Sequence, residues 1–269
     1  MSMVGELTYE ERMTIAEALY EAERNVKPLP KITSEYPEMN IMDAYSIQQM
    51  GVRLRMTGKA SVAGWKIGIT NPAMMERLDA ESPDFGTLLS NKMLLEGVPI
   101  RRSDLILPRI EGELAFIMGE DLKGPGITFG DIYNACSWVV PCFEICDTRV
   151  ENWAGTVCDS VADNAGASHF MLGSAPKRLQ DINPRLIGMV MERNGMVIGS
   201  ATGVEVMGNP VTAVTWLVNE LARFNVGVKK GEIILSGAFL DARIVSSGDI
   251  YTLNMDGFPA VTLRILSEP

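Results

Sequence analysis

The chain has 269 residues, of which 46% are hydrophobic and 22% charged. That is the composition of a globular protein able to bury roughly three quarters of its unfolded surface, which excludes disorder and any need for a stapled core. With a net charge of −10, it lacks the basic face that nucleic acid or an anionic membrane requires, so neither is an expected partner.

The N-terminal segment, MSMVGELTYEERMT, is acidic and polar with no apolar run behind a basic start. No signal peptide is expected, and the protein reads as cytoplasmic. Thr8 with Glu11 has the form of a capping box, and Met13, Ala16, Leu19 and Tyr20 follow at helical spacing. Residues 27–37 carry three prolines and read as a connector. A second helix is predicted from Ile41, with Ala44, Ile47, Met50 and Leu54 on one face, ending near Gly58. Residues 1–60 are thus expected to form a helical lobe, and residues 61–269 a β-rich catalytic domain.

Residues 63–70, AGWKIGIT, alternate and are punctuated by glycine, as in a strand that meets a close backbone or a ligand. Strands are predicted over 110–118 and 139–147, separated by a helix over 128–138. Two more, over 186–193 and 196–202, pair around the tight turn Asn194-Gly195. Asn209-Pro210 then opens a helix whose Ala213, Leu217, Leu221 and Phe224 share one stripe. The tail, 233–237, 250–255 and 260–265, is all strand. Strands dominate and do not alternate regularly with helices, so the fold class is α+β: a mixed, mainly antiparallel β-core flanked by helices, not a doubly wound sheet. The cysteines, Cys136, Cys142, Cys146 and Cys158, form no CxxC pair and read as buried free thiols.

Glu111-Gly112-Glu113 lies within an apolar strand. Side chains at i and i+2 share one face about 6.6 Å apart, so both carboxylates can converge on one cation while Gly112 leaves the other face open for close packing. Glu144, in VVPCFEIC, is a third charge out of place in an apolar strand. Three glutamates on two buried strands suit Mg²⁺ or Mn²⁺. The competing reading is a buried salt bridge to Arg109 or Arg149. Lys66, between glycines in a hydrophobic strand, is a candidate acid/base of lowered pKa or a carboxylate clamp, set against an ordinary solvated lysine. Asp84, in Pro83-Asp84-Phe85-Gly86, reads by itself as a turn residue. The single histidine, His169, reads as a surface or lid residue, and no GxSxG surrounds any serine.

Several segments in this order carry a resemblance: KIGIT at Lys66, PDFG at Pro83, PRIEGE at Pro108, GPG at Gly124, VADNA at Val161, Leu235-Ser236-Gly237 and Gly248-Asp249. Together they resemble the 2-keto-4-pentenoate hydratase and 4-oxalocrotonate decarboxylase branch of the fumarylacetoacetate hydrolase superfamily. The resemblance implies a helical N-terminal region on a mixed β-roll core, homo-oligomers, a possible complex with a pathway enzyme, and a role in meta-cleavage breakdown of aromatic compounds. It implies a divalent metal, Mg²⁺ or Mn²⁺, on Glu111, Glu113 and Glu144, with Lys66 and Asp84 catalytic. Arg109, Asn164 and Ser236 would contact a small 2-oxo or 2-hydroxy dienoic acid. Three positions depart from the family pattern: Gly166 where serine is common, Asn209 where histidine precedes the proline, and Pro259-Ala260 where Gly-Ser is frequent, a change expected to alter pocket shape.

Within the branch, Asn25-Val26, Pro30-Lys31-Ile32-Thr33 and Tyr36-Pro37-Glu38-Met39 resemble the decarboxylases, whereas the Lys66, Asp84 and Glu111–Glu113 motifs resemble the hydratases. The second group is nearer the chemistry, so a hydratase is expected first and a decarboxylase second. A catalytically silent partner subunit is a third reading, against which the intact glutamates and Lys66 argue.

Overall fold

The computed structural model describes residues 5–153 and 155–267, so the first four residues of the N-terminal segment lie outside it. Helix α1 (Tyr9–Arg24) starts at Thr8, whose side chain accepts from the Glu11 N–H while the Glu11 carboxylate accepts from the Thr8 N–H, the expected capping box. A short helix α2 (Ile32–Glu35) interrupts the proline-rich connector. Helix α3 (Ile41–Arg55) repeats the device with Asn40 and Asp43, and ends three residues before Gly58. Gln48 of α3 donates to the carbonyls of Phe85 and Val161, tying the helical region both to a strand and to a helix of the rest of the chain.

The remaining elements follow in chain order. They are β1 (Val62–Gly68), α4 (Pro72–Arg77), β2 (Asp84–Leu89), β3 (Met93–Leu94), β4 (Arg109–Met118), α5 (Phe129–Ala135), β5 (Cys136–Cys146) and α6 (Val157–Ala162). Then come β6 (Ala167–Leu172), β7 (Gly188–Arg193), β8 (Met196–Thr202), α7 (Pro210–Leu221), β9 (Ile233–Leu235), β10 (Arg243–Ile244), β11 (Ile250–Met255) and β12 (Val261–Arg264). The larger sheet runs β2-β1-β9-β4-β5-β6-β3, with β10 also against β4. It is mixed: β1 is parallel to β9 and β3 to β6, and the other pairs are antiparallel. The smaller sheet, β12-β11-β7-β8, is wholly antiparallel. The mixed, mainly antiparallel expectation holds.

The larger sheet curls into a half-barrel whose inner face carries a separate apolar cluster: Leu88, Ala115, Val140, Cys142, Phe170, Ile233 and Leu235. Its outer face joins the main core, with Leu114, Phe116, Phe143 and Ile145 fully buried. Gly112 shows why the sheets can meet there: a Cβ on it would sit 2.8 Å from Leu253 and 2.9 Å from Met189 of the smaller sheet. The β7–β8 hairpin turns on Asn194 and Gly195, both with positive φ (54° and 77°), as a primed turn demands.

Four expectations are corrected. The helix predicted over 128–138 stops at Ala135, because the β-branched and aromatic run from Cys136 pairs with β4 instead. Asp84 opens β2 and is not in a turn; it lies opposite Gly68 in the β1–β2 ladder. His169 is a half-buried residue of β6, opposite Ile145. Pro259-Ala260 sits between β11 and β12, away from the cavity on the concave face.

Candidate active site

Strand alternation assembles the site. Glu111 lies opposite Glu144, and Glu113 opposite Cys142, so β4 and β5 present three carboxylates to the concave face. Lys66 of β1 is opposite Leu235 of β9, which is opposite Ala115 of β4, two residues from Glu113. The same face therefore carries Lys66 and, across the β1–β2 ladder, Asp84. A cavity of about 380 Å³ opens over them, lined among others by Lys66, Asp84, Arg109, Glu111, Cys146 and Gly166.

Lys66 is 4% exposed; its ammonium lies 3.4 Å from Glu144 Oε1 and donates to the Ala165 carbonyl at 3.1 Å. That carbonyl is aimed by an unusual backbone. Asn164, Ala165 and Gly166 all have positive φ (56°, 50° and 69°), a conformation that non-glycine residues rarely adopt. The loop is fixed from beneath by Arg149, which is fully buried, ion-paired to Asp163 and also donates to the carbonyls of Asp147 and Ala167. Arg149 is thereby committed away from the glutamates, and the Arg109 guanidinium rests over the Trp153 ring at 4.6 Å. The ion pair to the glutamates comes from Lys66.

Two of the three glutamates are fully buried, and Glu111 is half-buried at the cavity wall. Glu113 Oε2 accepts from the Gly237 N–H at 2.7 Å, but its Oε1 has no donor, and neither does Glu144 Oε2. Burial, then the charges of Glu144 and Glu111, push the Glu113 carboxyl well above its ordinary range. Burial likewise pushes Glu144 up to about 7, with Lys66 pulling the other way, and raises Glu111. Orphaned buried carboxylate oxygens of this kind are costly without a cation, and hard divalent cations take oxygen donors, so the residues fit such an ion.

Among the described residues, the donors that come within 4.8 Å of one another are Glu111, Glu144 and Cys146. Cys146 is the residue that sequence reasoning missed. It is a buried free thiol, as expected of all four cysteines save the half-buried Cys158. Yet it shares a face with Glu144 two residues away, and its Sγ contacts Glu111 Oε2 at 3.5 Å. The period-two rule that selected the glutamates would have found it.

For Lys66 the expectation of a lowered pKa is reversed. Burial works to lower it, but Glu144 foremost, then Cys146, Glu111 and Asp84, outweigh burial and keep the ammonium charged. Asp84 is 2% exposed, and burial raises its carboxyl against the pull of Lys66 and a hydrogen bond from Ser160. Its Oδ1 has no donor. Gly68 makes room for it, because a Cβ there would collide with Asp84 Oδ1 and meet Lys66 Nζ at 3.3 Å. Asn164 is turned away: its amide donates to the Thr87 carbonyl and accepts from the Thr87 N–H, clamping the loop to β2. Ser236 is fully buried with an unpartnered hydroxyl, but does not line the cavity. His169 bonds to Ser168, and burial lowers its pKa to about 4. Glu144 faces Phe170, so His169, one residue along β6, points to the opposite side.

The curled sheet and its acidic face define the class. The chain belongs to the fumarylacetoacetate (FAA) hydrolase C-terminal family, whose profile matches residues 61–266, and within it to a branch of hydratases and decarboxylases. It is 37% identical to 2-hydroxyhexa-2,4-dienoate hydratase of Comamonas testosteroni, over 93% of this chain and 96% of that protein. It is 32% identical to 2-keto-4-pentenoate hydratase of Paraburkholderia xenovorans, over 97% of each. The solved structure of 4-oxalocrotonate decarboxylase from Pseudomonas putida G7, complexed with magnesium and adipate, superposes with a TM-score of 0.93 at 34% identity, covering 97% of this chain and 99% of that one. Among the described residues, no helix is long and apolar enough to cross a membrane.

Proposed function

We propose that the chain is a divalent-metal-dependent hydratase that adds water to a 2-hydroxy-2,4-dienoate of the 2-keto-4-pentenoate type, giving a 4-hydroxy-2-oxo acid in meta-cleavage degradation of aromatic compounds. The observation that carries this reading is Asp84: a buried carboxylate with a free oxygen, on the cavity wall beside Lys66. Hydration needs a group that exchanges protons with water, whereas decarboxylation needs only an electron sink.

Glu111, Glu113 and Glu144 would hold Mg²⁺ or Mn²⁺. Bound there, the ion supplies a Lewis acid for the 2-oxygen and neutralises the carboxylates. Lys66, whose ammonium is ion-paired to Glu144, supports negative charge developing on that oxygen and holds Glu144 in place. The dienol gives up its 2-hydroxyl proton and is protonated at C5 to give the unsaturated ketone; water then adds its oxygen at C4 while Asp84 takes its proton, and that proton is delivered to C3 as the enolate returns to the ketone. Arg109, in the cavity two residues before Glu111 on the same strand, binds carboxylate. Ser236 lies beside Gly237 and supports the Glu113 end of the site, and Asn164 positions the loop that orients Lys66. A C–C bond hydrolase would require a His–Glu pair on the cavity, and the single histidine, His169, faces elsewhere. In the same reading, residues 1–60 are a helical lobe on a catalytic domain of residues 61–269, and the protein is a cytoplasmic homo-oligomer. A complex with a pathway enzyme is part of this reading.

The second reading, decarboxylation of 2-oxo-3-hexenedioate, is favoured by the likeness to the decarboxylase complexed with adipate, a dicarboxylate. Product analysis of the purified chain with 2-hydroxypenta-2,4-dienoate and 2-oxo-3-hexenedioate, each with Mg²⁺ or Mn²⁺, separates the two. Hydration of the first is expected. Release of CO₂ from the second with the dienoate untouched would overturn the hydratase, and no turnover of either would leave the silent partner subunit. Asp84→Asn is expected to cost about 10²–10⁴-fold in hydration while solvent deuterium still enters the substrate.

A further inference from the structure

The metal centre expected from sequence is all oxygen, yet the donor cluster found on the concave face includes sulfur. Cys146 Sγ lies within 4.8 Å of a carboxylate oxygen of both Glu111 and Glu144. It lines the same cavity as Glu111, is buried, and its Sγ–H donates to Glu111 Oε2 at 3.5 Å, so the sulfur is directed at the carboxylates. A second observation points to a cation: Glu144, two residues away on the same strand, is fully buried and its Oε2 has no hydrogen-bond donor. Cys142, the neighbouring thiol on this face, lies opposite Glu113, and both stand outside the cluster, one step further along the strands.

We propose that Cys146 is an additional donor at this centre, which makes it a mixed carboxylate–thiolate site that accepts Co²⁺, Zn²⁺ or Cd²⁺ through sulfur while Mg²⁺ is held by carboxylates alone. Thiolate is a soft ligand and raises affinity for these ions, but contributes little to hard Mg²⁺. On coordination the thiol proton is released to solvent, one per ion, and a metal–sulfur bond replaces the S–H bond with no change of oxidation state. The consequence is a centre whose metal occupancy depends on which ions are present, with thiophilic ions displacing Mg²⁺. This rests on the metal-binding part of the proposed function and is independent of the reaction catalysed.

The test is anaerobic titration of the purified metal-free chain with Co²⁺, followed by absorbance, with calorimetric titration of Cd²⁺ and Mg²⁺. A near-ultraviolet sulfur-to-cobalt charge-transfer band is expected in the unmodified chain, in Cys142→Ser and in Cys158→Ser, and is expected to vanish in Cys146→Ser and Cys146→Ala. Cd²⁺ affinity should fall by about tenfold or more in both Cys146 variants, while Mg²⁺ affinity stays within about threefold. Unchanged Mg²⁺ binding also shows that the variants are folded. No charge-transfer band in the unmodified chain, a band that survives in both Cys146 variants, or one lost in Cys142→Ser overturns the proposal. Hydration by the Mg²⁺-loaded chain is read separately, so failure of the hydratase assignment would leave the spectra interpretable.

Discussion

On the outer face of β4 and β5, Leu114, Phe116, Phe143 and Ile145 pack into the main core with no exposed surface. On the concave face of the same two strands, Glu111, Glu113, Glu144 and Cys146 crowd charge and sulfur into a space where carboxylate oxygens lack donors. Neighbouring residues in one strand thus serve opposite ends. The outer set stabilises the fold, and the inner set costs stability until a cation joins it. Strand alternation makes this separation possible within a single segment, and the inner apolar cluster of Ala115, Val140, Cys142 and Leu235 continues the same concave face beyond the acidic patch.

The sharpest way to break the comparison is on the inner face. Glu113→Gln is expected to abolish metal-dependent turnover and weaken Mg²⁺ binding, yet to leave the metal-free protein at least as thermally stable, because burial and the neighbouring glutamates already disfavour charge at that position. Activity that survives exhaustive chelation, or a metal-free variant that melts well below the unmodified chain, would contradict the division of labour. The reciprocal change on the outer face is Phe143→Ala. It should lower stability by about 3–5 kcal/mol in denaturant titration, with Mg²⁺ affinity of the folded fraction little changed. A loss of affinity without a loss of stability would show that the two faces are not separable.

The smallest effect is a pH dependence. Glu144 titrates at about 7 in the folded chain, above the ordinary carboxyl value of 4.5. A group raised on folding contributes stability that is fully present below its unfolded value and is lost as pH rises through the folded one. The metal-free protein should therefore melt at progressively lower temperature between pH 5 and 8, more steeply than Glu144→Gln does. Mg²⁺ should raise the melting temperature more at pH 8 than at pH 5, since the ion competes with protons for the same oxygens. Parallel melting curves for the two proteins across this range would remove Glu144 from that account.

Glu111-Gly112-Glu113 and Glu144 were legible in the sequence because charge in an apolar, alternating run is anomalous, and alternation alone says that i and i+2 share a face. The capping box at Thr8 and the hairpin at Asn194-Gly195 were legible for a similar reason: each depends on a few adjacent residues. Asp84 was not. Its motif, Pro-Asp-Phe-Gly, has turn composition, and only pairing with β1 draws it into a strand opposite Gly68. Asn164 carried no local sign that its amide would be spent on Thr87, which lies 77 residues away.

The sequence by itself determined the periodicities: which strands are two-faced, which residues cap helices, and which charges sit where apolar residues belong. The tertiary structure alone decided which faces meet. It joined β1 to β9 and β9 to β4, which brought Lys66 within reach of Glu144. It sent Arg149 to Asp163, and it set Cys146 beside Glu111. Those outcomes depend on contacts between residues far apart in the chain, where register, sheet curvature and competition for buried partners are settled by the whole core and leave no periodic trace in any one segment.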